Sequence, residues 1–317
     1  MSFGDRLIFA LTERWLRIRH RRLVKASFRR HGRWPDIAWP MRHSERMLWR
    51  KLVDRDPRWV RFADKLAAKE YVKERCPDLA LPTVLWTGTD ANAIPDALLR
   101  GDVYVKTNHA SGFNIRVRDG DADRQKLKET TDKWLATSYG VRDGEWAYGK
   151  VERRLFVEES IGDVDTDMLE FQVRAGDGKC ILGSVMGHAK TSRQWVVYLD
   201  EDGVPVRQVP GKAKGLRATL PEGLDIRAPY LEAVRHTRSL SKGVDYARFD
   251  FLWNGTTLYG GEITMYPGAG IGEITDPAMS AATMSGWRLE CSWFLSTRQP
   301  WPASLYANAL RRRLAEG

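Results

Sequence analysis

The chain has 317 residues, 43% apolar and 29% charged, which excludes a disordered polyelectrolyte and leaves room for two or three lobes. Its net charge of +10 is uneven: residues 1–33 hold ten Lys or Arg against Asp5 and Glu13, so the rest carries only +2. A nearly neutral body disfavours a protein that tracks nucleic acid along its whole surface. No apolar run approaches the roughly 20 residues of a membrane-spanning helix. The short stretch Leu7–Leu11 is followed rather than preceded by its basic residues, unlike a signal peptide. Cys76, Cys180 and Cys291 lie far apart with neither metal spacing nor an even framework, as expected for a reducing cytoplasm.

In chain order, Ile8, Leu11, Trp15 and Ile18 recur at helical spacing, and Arg14 to Arg33 includes nine Arg or Lys and no acid. This predicts a basic amphipathic helix. Three uses are open for residues 14–33: peripheral adsorption to an anionic membrane at its inner face, docking of an acidic polymer, or a solvated helix leaning on the core. Residues 34–62, rich in Trp and Pro, predict short helices and turns, with the tryptophans filling the core rather than stacking on sugars. A helix is expected over 64–75, ended by Cys76-Pro77, then an extended segment over 81–86. Strands are expected at 102–106 and 114–118 around a polar loop, at 155–159, and at least once within 171–185. Helices are expected at 123–137 and 228–242. The reading is α+β, in segments 1–33, 34–80, 81–157 and 158–317.

The chemistry concentrates in 247–264. Asn254-Gly255 between two β-rich runs predicts a two-residue hairpin turn, with Asp250 facing Tyr259. Strict alternation then points Glu262 away from Asp250, and a bulge at Gly260-Gly261 would bring it back. Two carboxylates on one face repel unless a cation lies between them, and hard oxygens with Thr264 nearby suit Mg²⁺. Lys106 ends a strand before a small polar loop with His109, Ser111, Gly112 and Asn114, an arrangement able to surround phosphates. No Walker or dinucleotide glycine motif is present.

These pieces resemble the ATP-grasp superfamily. Asp64-Lys65, then Lys69, then Leu81-Pro82, is similar to the segment that opens ATP-grasp ligases. Phe156-Val157-Glu158-Glu159-Ser160-Ile161 is similar to the adenine-binding linker. Arg248-x-Asp250, eleven residues, then Glu262-x-Thr264-x-x-Pro267-Gly268 is similar to the signature of D-alanine–D-alanine ligase relatives. Arg61 to Lys65, Tyr104 to Asn114 and Gly261 to Gly270 resemble the TupA-like ATP-grasp family of bacterial cell-surface polysaccharide loci. Two departures stand out. Met168-Leu169-Glu170 occupies the place of an expected Tyr-Lys pair, and Glu170 instead resembles a ribose-binding glutamate. Thr264 replaces the wider superfamily's Asn.

The resemblance implies an ATP-grasp fold, two α/β lobes gripping ATP behind a helical N-terminal region. Lys65 or Lys69, with Lys106, would neutralise phosphates, and the loop around His109, Ser111, Gly112 and Asn114 would close over them. Glu158, Glu159 and Ile161 would frame the adenine, and Glu170 the ribose. Asp250, Glu262 and Thr264 would hold two Mg²⁺ ions. Arg248 and Gly268 would stabilise the transferring phosphoryl group and the intermediate formed by amine attack. The implied activity is ATP-dependent joining of a small-molecule or glycan carboxylate to an amine or amino acid. A phosphotransferase, a non-catalytic ATP-binding module and a glycosyltransferase are the alternatives.

Overall fold

The computed structural model describes residues 1–162, 168–189, 191–206, 215–274 and 276–316. The basic N-terminal segment is two helices, α1 (Phe3–Arg19) and α2 (Arg21–His31), broken at His20. Glu13 anchors α1 by accepting the Ile37 and Ala38 N–H groups at 2.9 and 2.7 Å. Phe9 and Leu16 face inward, whereas Leu11, Trp15 and Ile18 are exposed. Asp5, Phe9 and Glu13 supply the contacts of the docked face.

Three helices follow: α3 (His43–Leu52), α4 (Arg58–Ala63) and α5 (Lys65–Arg75). Asp64 caps α5 by accepting the Leu66 N–H at 2.9 Å, a cap worth about 1 kcal/mol. The buried Trp49 and Trp59 fill the core between these helices and the body, as the tryptophan-rich stretch predicted.

The smaller lobe holds β1 (Val84–Gly88), α6 (Asp96–Leu99), β2 (Val103–Thr107), β3 (Asn114–Val117), α7 (Arg124–Ala136) and β4 (Leu155–Glu159). Its four strands form a sheet in the order β1-β4-β2-β3, with a core of its own around Val103, Val105, Leu127, Leu155 and Val157.

The larger lobe is built on β5 (Leu169–Gly176), β6 (Lys179–Gly187), β7 (Trp195–Leu199), β8 (Leu216–Arg217), β9 (Ala247–Trp253) and β10 (Leu258–Thr264), in the order β10-β9-β5-β6-β7-β8. Period-two alternation sets its two faces. Phe171, Val173, Phe249 and Phe251 are buried beneath α8 (Arg227–Leu240), each contributing roughly 1.5–3 kcal/mol. Glu170, Gln172, Arg174, Arg248 and Asp250 alternate with them onto the cleft face. Three further helices, α9 (Pro277–Gly286), α10 (Trp293–Ser296) and α11 (Ala303–Ala315), complete the body. One apolar core runs from Phe9 and Leu16 through Trp49 and Phe171 to Tyr306 and Leu310, so the N-terminal helices and the large sheet are packed as one body.

The β9–β10 hairpin differs from the expected two-residue turn. Trp253 pairs with Leu258, leaving a four-residue loop, and Leu252, not Asp250, faces Tyr259. The cause is Asn254, whose Oδ1 accepts the Thr256 and Thr257 N–H groups while its Nδ2 donates to the Ile161 carbonyl at 3.0 Å. A side chain that caps the turn and ties it to the linker favours the longer loop.

Candidate active site

Between the two sheets, the cleft face of β9 and β10 forms a floor of opposed charges. The register of β10 slips between Gly260 and Ile263, so Gly261 and Glu262 together oppose Asp250. The bulge falls at the expected glycine pair and puts Glu262 on Asp250's side of the sheet. Gly261 has a steric reason for its identity: a Cβ there would lie 2.7 Å from the Asp250 carbonyl oxygen. Arg248 closes on Asp250 with two bonds, Nε to Oδ1 and Nη2 to Oδ2, each 2.6 Å. The Thr264 hydroxyl lies 3.5 Å from Asp250 Oδ2.

Burial raises the Asp250 carboxyl above its ordinary range; Arg248 opposes the rise and the Glu262 charge adds to it. At Glu262, whose side chain is 44% exposed, the upward push of partial desolvation is outweighed by Lys65, Lys106 and Arg248, which hold that carboxyl low. Two acids and a hydroxyl on one face, one acid lifting the other, are a donor set that fits a small hard cation. Among the described residues no cluster of three His, Cys, Asp or Glu forms, so protein groups alone would not complete its shell.

The lysines separate into two stations. Lys65 Nζ is 3.1 Å from Glu262 Oε1 and donates to the Ala110 carbonyl of the β2–β3 loop at 2.5 Å. One helical turn on, Lys69 Nζ lies 3.0 Å from Glu158 Oε2 and donates to the Pro82 carbonyl at 2.8 Å. Lys106 pairs with the other oxygen of the same Glu158. The i,i+4 spacing on α5 thus puts both lysines on the cleft, with Lys69 and Lys106 sharing one acid and Lys65 reaching the floor. Desolvation lowers the Lys69 ammonium's pKa, an effect Glu158 opposes.

A family model for TupA-like ATP-grasp proteins matches residues 45–281. The chain belongs to the TupA-like ATP-grasp family. Its fold is the ATP-grasp fold, mixed helix and sheet with two sheets and a helical N-terminal region. The chain is similar to D-alanine–D-alanine ligase from Bacillus anthracis complexed with ATP, at 18% identity over 81% of this chain and 68% of that one, TM-score 0.42. It is also similar to a RimK domain protein ATP-grasp from Sphaerobacter thermophilus, at 14% identity over 74% and 68%, TM-score 0.42. With the ATP-grasp ligase PsnB complexed with minimal precursor the identity is 10% over 72% and 61%, TM-score 0.39. A comparison with curated proteins finds no match.

In this TupA-like ATP-grasp chain the other expected residues take different stations. Ser111 and Gly112 are exposed on the β2–β3 loop, with Gly112 at φ 78°, and Asn114 is exposed at the start of β3, paired with Lys106. His109 is fully buried beside Phe113, ring centroids 6.4 Å apart, and desolvation lowers its pKa. Glu159 alternates away from Glu158, its Oε1 accepting from the Thr83 N–H and hydroxyl, each at 2.8 Å. Ile161 contributes its carbonyl to Asn254. Glu170 sits on the cleft face, accepting from Gln172 Nε2 at 2.7 Å. Gly268 begins three consecutive residues, with Ala269 and Gly270, at φ between 54° and 60°.

Two basic residues escaped the sequence reading. The buried Lys51 donates to the carbonyls of Asp143 and Ala269 at 2.8 and 2.5 Å, pinning the left-handed turn after β10. In the sequence it is one more basic residue of α3, with nothing to mark it. Arg174 is the direct cross-strand neighbour of Arg248 and lies over the Tyr198 ring at 5.9 Å. Among the described residues it has no carboxylate within ion-pair distance, and its Nη1 is buried without an acceptor. Its alternation with Glu170 and Gln172 was the available signal.

Proposed function

We propose that this protein is an ATP-dependent carboxylate–amine ligase of bacterial surface polysaccharide or peptidoglycan-like polymer biosynthesis, working in the cytoplasm. The observation that carries the reading is the bulge that brings Glu262 to Asp250's face beside Arg248 and Lys65. Asp250, Glu262 and Thr264 would hold Mg²⁺, which when bound would shield the phosphate oxygens of ATP. Lys69 and Lys106 would exchange Glu158 for phosphates, and Lys65 would follow the end of the phosphate chain next to Glu262. Glu158, Glu159 and Ile161 would frame the adenine, and Glu170 the ribose.

Arg174 and Arg248, adjacent on the floor, would receive the substrate carboxylate and aim one oxygen at the terminal phosphorus. That oxygen forms the new P–O bond as the bond to ADP breaks, and positioning with charge neutralisation supplies most of the acceleration. An amine then attacks the acyl carbon, loses a proton, and phosphate leaves with the C–O pair. Backbone N–H groups around Gly268 and the Arg248 guanidinium would stabilise the oxyanion.

The test uses purified protein with Mg²⁺, ATP and pools of sugar acids and amino acids, the acids labelled with ¹⁸O in the carboxylate. Ligation requires ADP release that depends on both an acid and an amine, with one ¹⁸O arriving in inorganic phosphate. Phosphate retained on an acceptor would mean a phosphotransferase instead, and ATP binding without turnover across the pools would count against the ligase.

A further inference from the structure

Helix α1 is docked by one face only. Asp5, Phe9 and Leu16 turn to the body, where Asp5 pairs with Arg312 of α11. The opposite face carries Phe3, Leu7, Leu11, Trp15 and Ile18, spaced by four, four, four and three residues and therefore in one stripe. They are 84, 51, 59, 59 and 67% exposed. Single exposed apolar residues are ordinary, whereas a continuous stripe along a 17-residue helix, about 25 Å long, marks a contact surface.

The surrounding charge decides what fits it. Arg14 lies within the stripe, three residues after Leu11 and four before Ile18. At the far end the Trp15 ring meets His20 edge-on at 6.2 Å. His20, with Arg19, Arg21, Arg22 and Arg142, lines a cavity of about 250 Å³. None of these four arginines has a carboxylate within ion-pair distance among the described residues. Both acids of residues 1–33 are engaged on the body side, Asp5 with Arg312 and Glu13 with Arg17 and the Ile37 and Ala38 N–H groups. A second copy of this face would oppose two strongly basic segments. A soluble polyanion would answer the arginines and leave the apolar stripe in water. An anionic bilayer answers both, taking the apolar chains among the acyl tails and the guanidiniums among the headgroups.

We propose that α1 lies in the plane of an anionic phospholipid bilayer, its Phe3–Ile18 stripe inserted and the arginine-lined cavity at the α1–α2 break taking headgroup phosphates. No helix among the described residues is long and apolar enough to cross a membrane, so the contact is interfacial. The proposal is independent of the ligase reading. It also orients the molecule: Arg142 belongs to the same turn as Asp143, and Lys51 ties the Asp143 carbonyl to that of Ala269 at the cleft.

The test is vesicle flotation of the full-length protein with phosphatidylcholine vesicles and with vesicles carrying 30% phosphatidylglycerol, at 0.1 and 0.5 M NaCl. Expected is flotation with the anionic vesicles only, at least tenfold weaker at high salt. It should be at least tenfold weaker also in Leu11→Glu/Trp15→Glu and in Arg21→Ala/Arg22→Ala, each keeping the wild-type melting temperature because these side chains face away from the core. Three results would overturn it: wild-type protein staying at the bottom of the gradient with anionic vesicles, binding indifferent to Leu11→Glu/Trp15→Glu, or a lipid-free dimer by light scattering that this double variant abolishes. Binding of inorganic polyphosphate together with failure to float would assign the arginines to a soluble polyanion and equally refute the bilayer.

Discussion

Lys65 joins the loop of the small lobe to the floor of the large one, its ammonium 3.1 Å from Glu262 and 2.5 Å from the Ala110 carbonyl. In this arrangement a side-chain cation pairs with Glu262, while Arg248 pairs with Asp250. Lys65→Ala should therefore leave the Asp64 cap and the fold intact while lowering kcat/KM for ATP by roughly 10²–10³-fold, as for loss of one preorganised charge. Glu262→Gln should lower the affinity for Mg²⁺-ATP and leave metal-free nucleotide binding little changed. Steady-state ADP release and calorimetric titration with and without Mg²⁺ check both, and an unchanged metal dependence in Glu262→Gln would rule the pair out as the metal seat.

Arg50 is fully buried between the Trp59 and Trp287 rings, at 4.9 and 4.5 Å, and donates to Asp245 and to the Met265 carbonyl, each at 2.8 Å. It ties α3 to the residues just before β9 and just after β10. Arg50→Met should destabilise by about 3–5 kcal/mol, because it strands a buried aspartate. Urea unfolding measures this, and a loss below about 1 kcal/mol would contradict it.

Burial pushes the Glu145 carboxyl up to about 7, with Lys51 opposing and Asp143 reinforcing the rise. A carboxyl whose folded pKa lies above its unfolded value binds protons preferentially in the native state. Stability should fall as pH rises from about 4.5 to 7 and stay low beyond, by a contribution of order 3 kcal/mol. Glu145→Gln should lack this component. Melting temperatures of both proteins from pH 5 to 8.5 provide the comparison, with equal slopes counting against the assignment.

Gly261→Ala places a methyl against the Asp250 carbonyl, 2.7 Å away, in a strand that has no slack there. The expected result is about 1–3 kcal/mol lost from stability, with ADP release reduced at least tenfold because Glu262 is displaced. A variant of wild-type activity would show that the bulge is not needed to aim the carboxylate.

Much of this was legible in the sequence where a local rule had a local cause. Asp64 before Lys65 marked a cap, Cys76-Pro77 an end, and the alternation of 247–253 a strand with one polar face. The glycine pair in β10 announced its bulge. What escaped depended on distant partners. Asn254 lengthened its turn by reaching Ile161, and the docked face of α1 was chosen by Arg312, Ile37 and Ala38, which no spacing within the helix encodes. Within the cleft, the residue types at Asp250, Glu262 and the lysines were legible. The division of labour between Lys65 and Lys69 was not, since one helical face presents both and only the third dimension puts Glu158 under one and Glu262 under the other.

The bulge in β10 separates two tasks that a strand ordinarily performs together. A chain one residue shorter, lacking Gly261, would pair Glu262 directly with Asp250 and keep Ile263 opposite Phe249 and Thr264 opposite Arg248. Every apolar side chain would still reach the core. The extra residue is therefore superfluous to the partition between oil and water, and its effect is confined to the bearing of a single carboxylate. At this position the angle of Glu262 is adjustable by insertion or deletion without rewriting the hydrophobic code of the sheet.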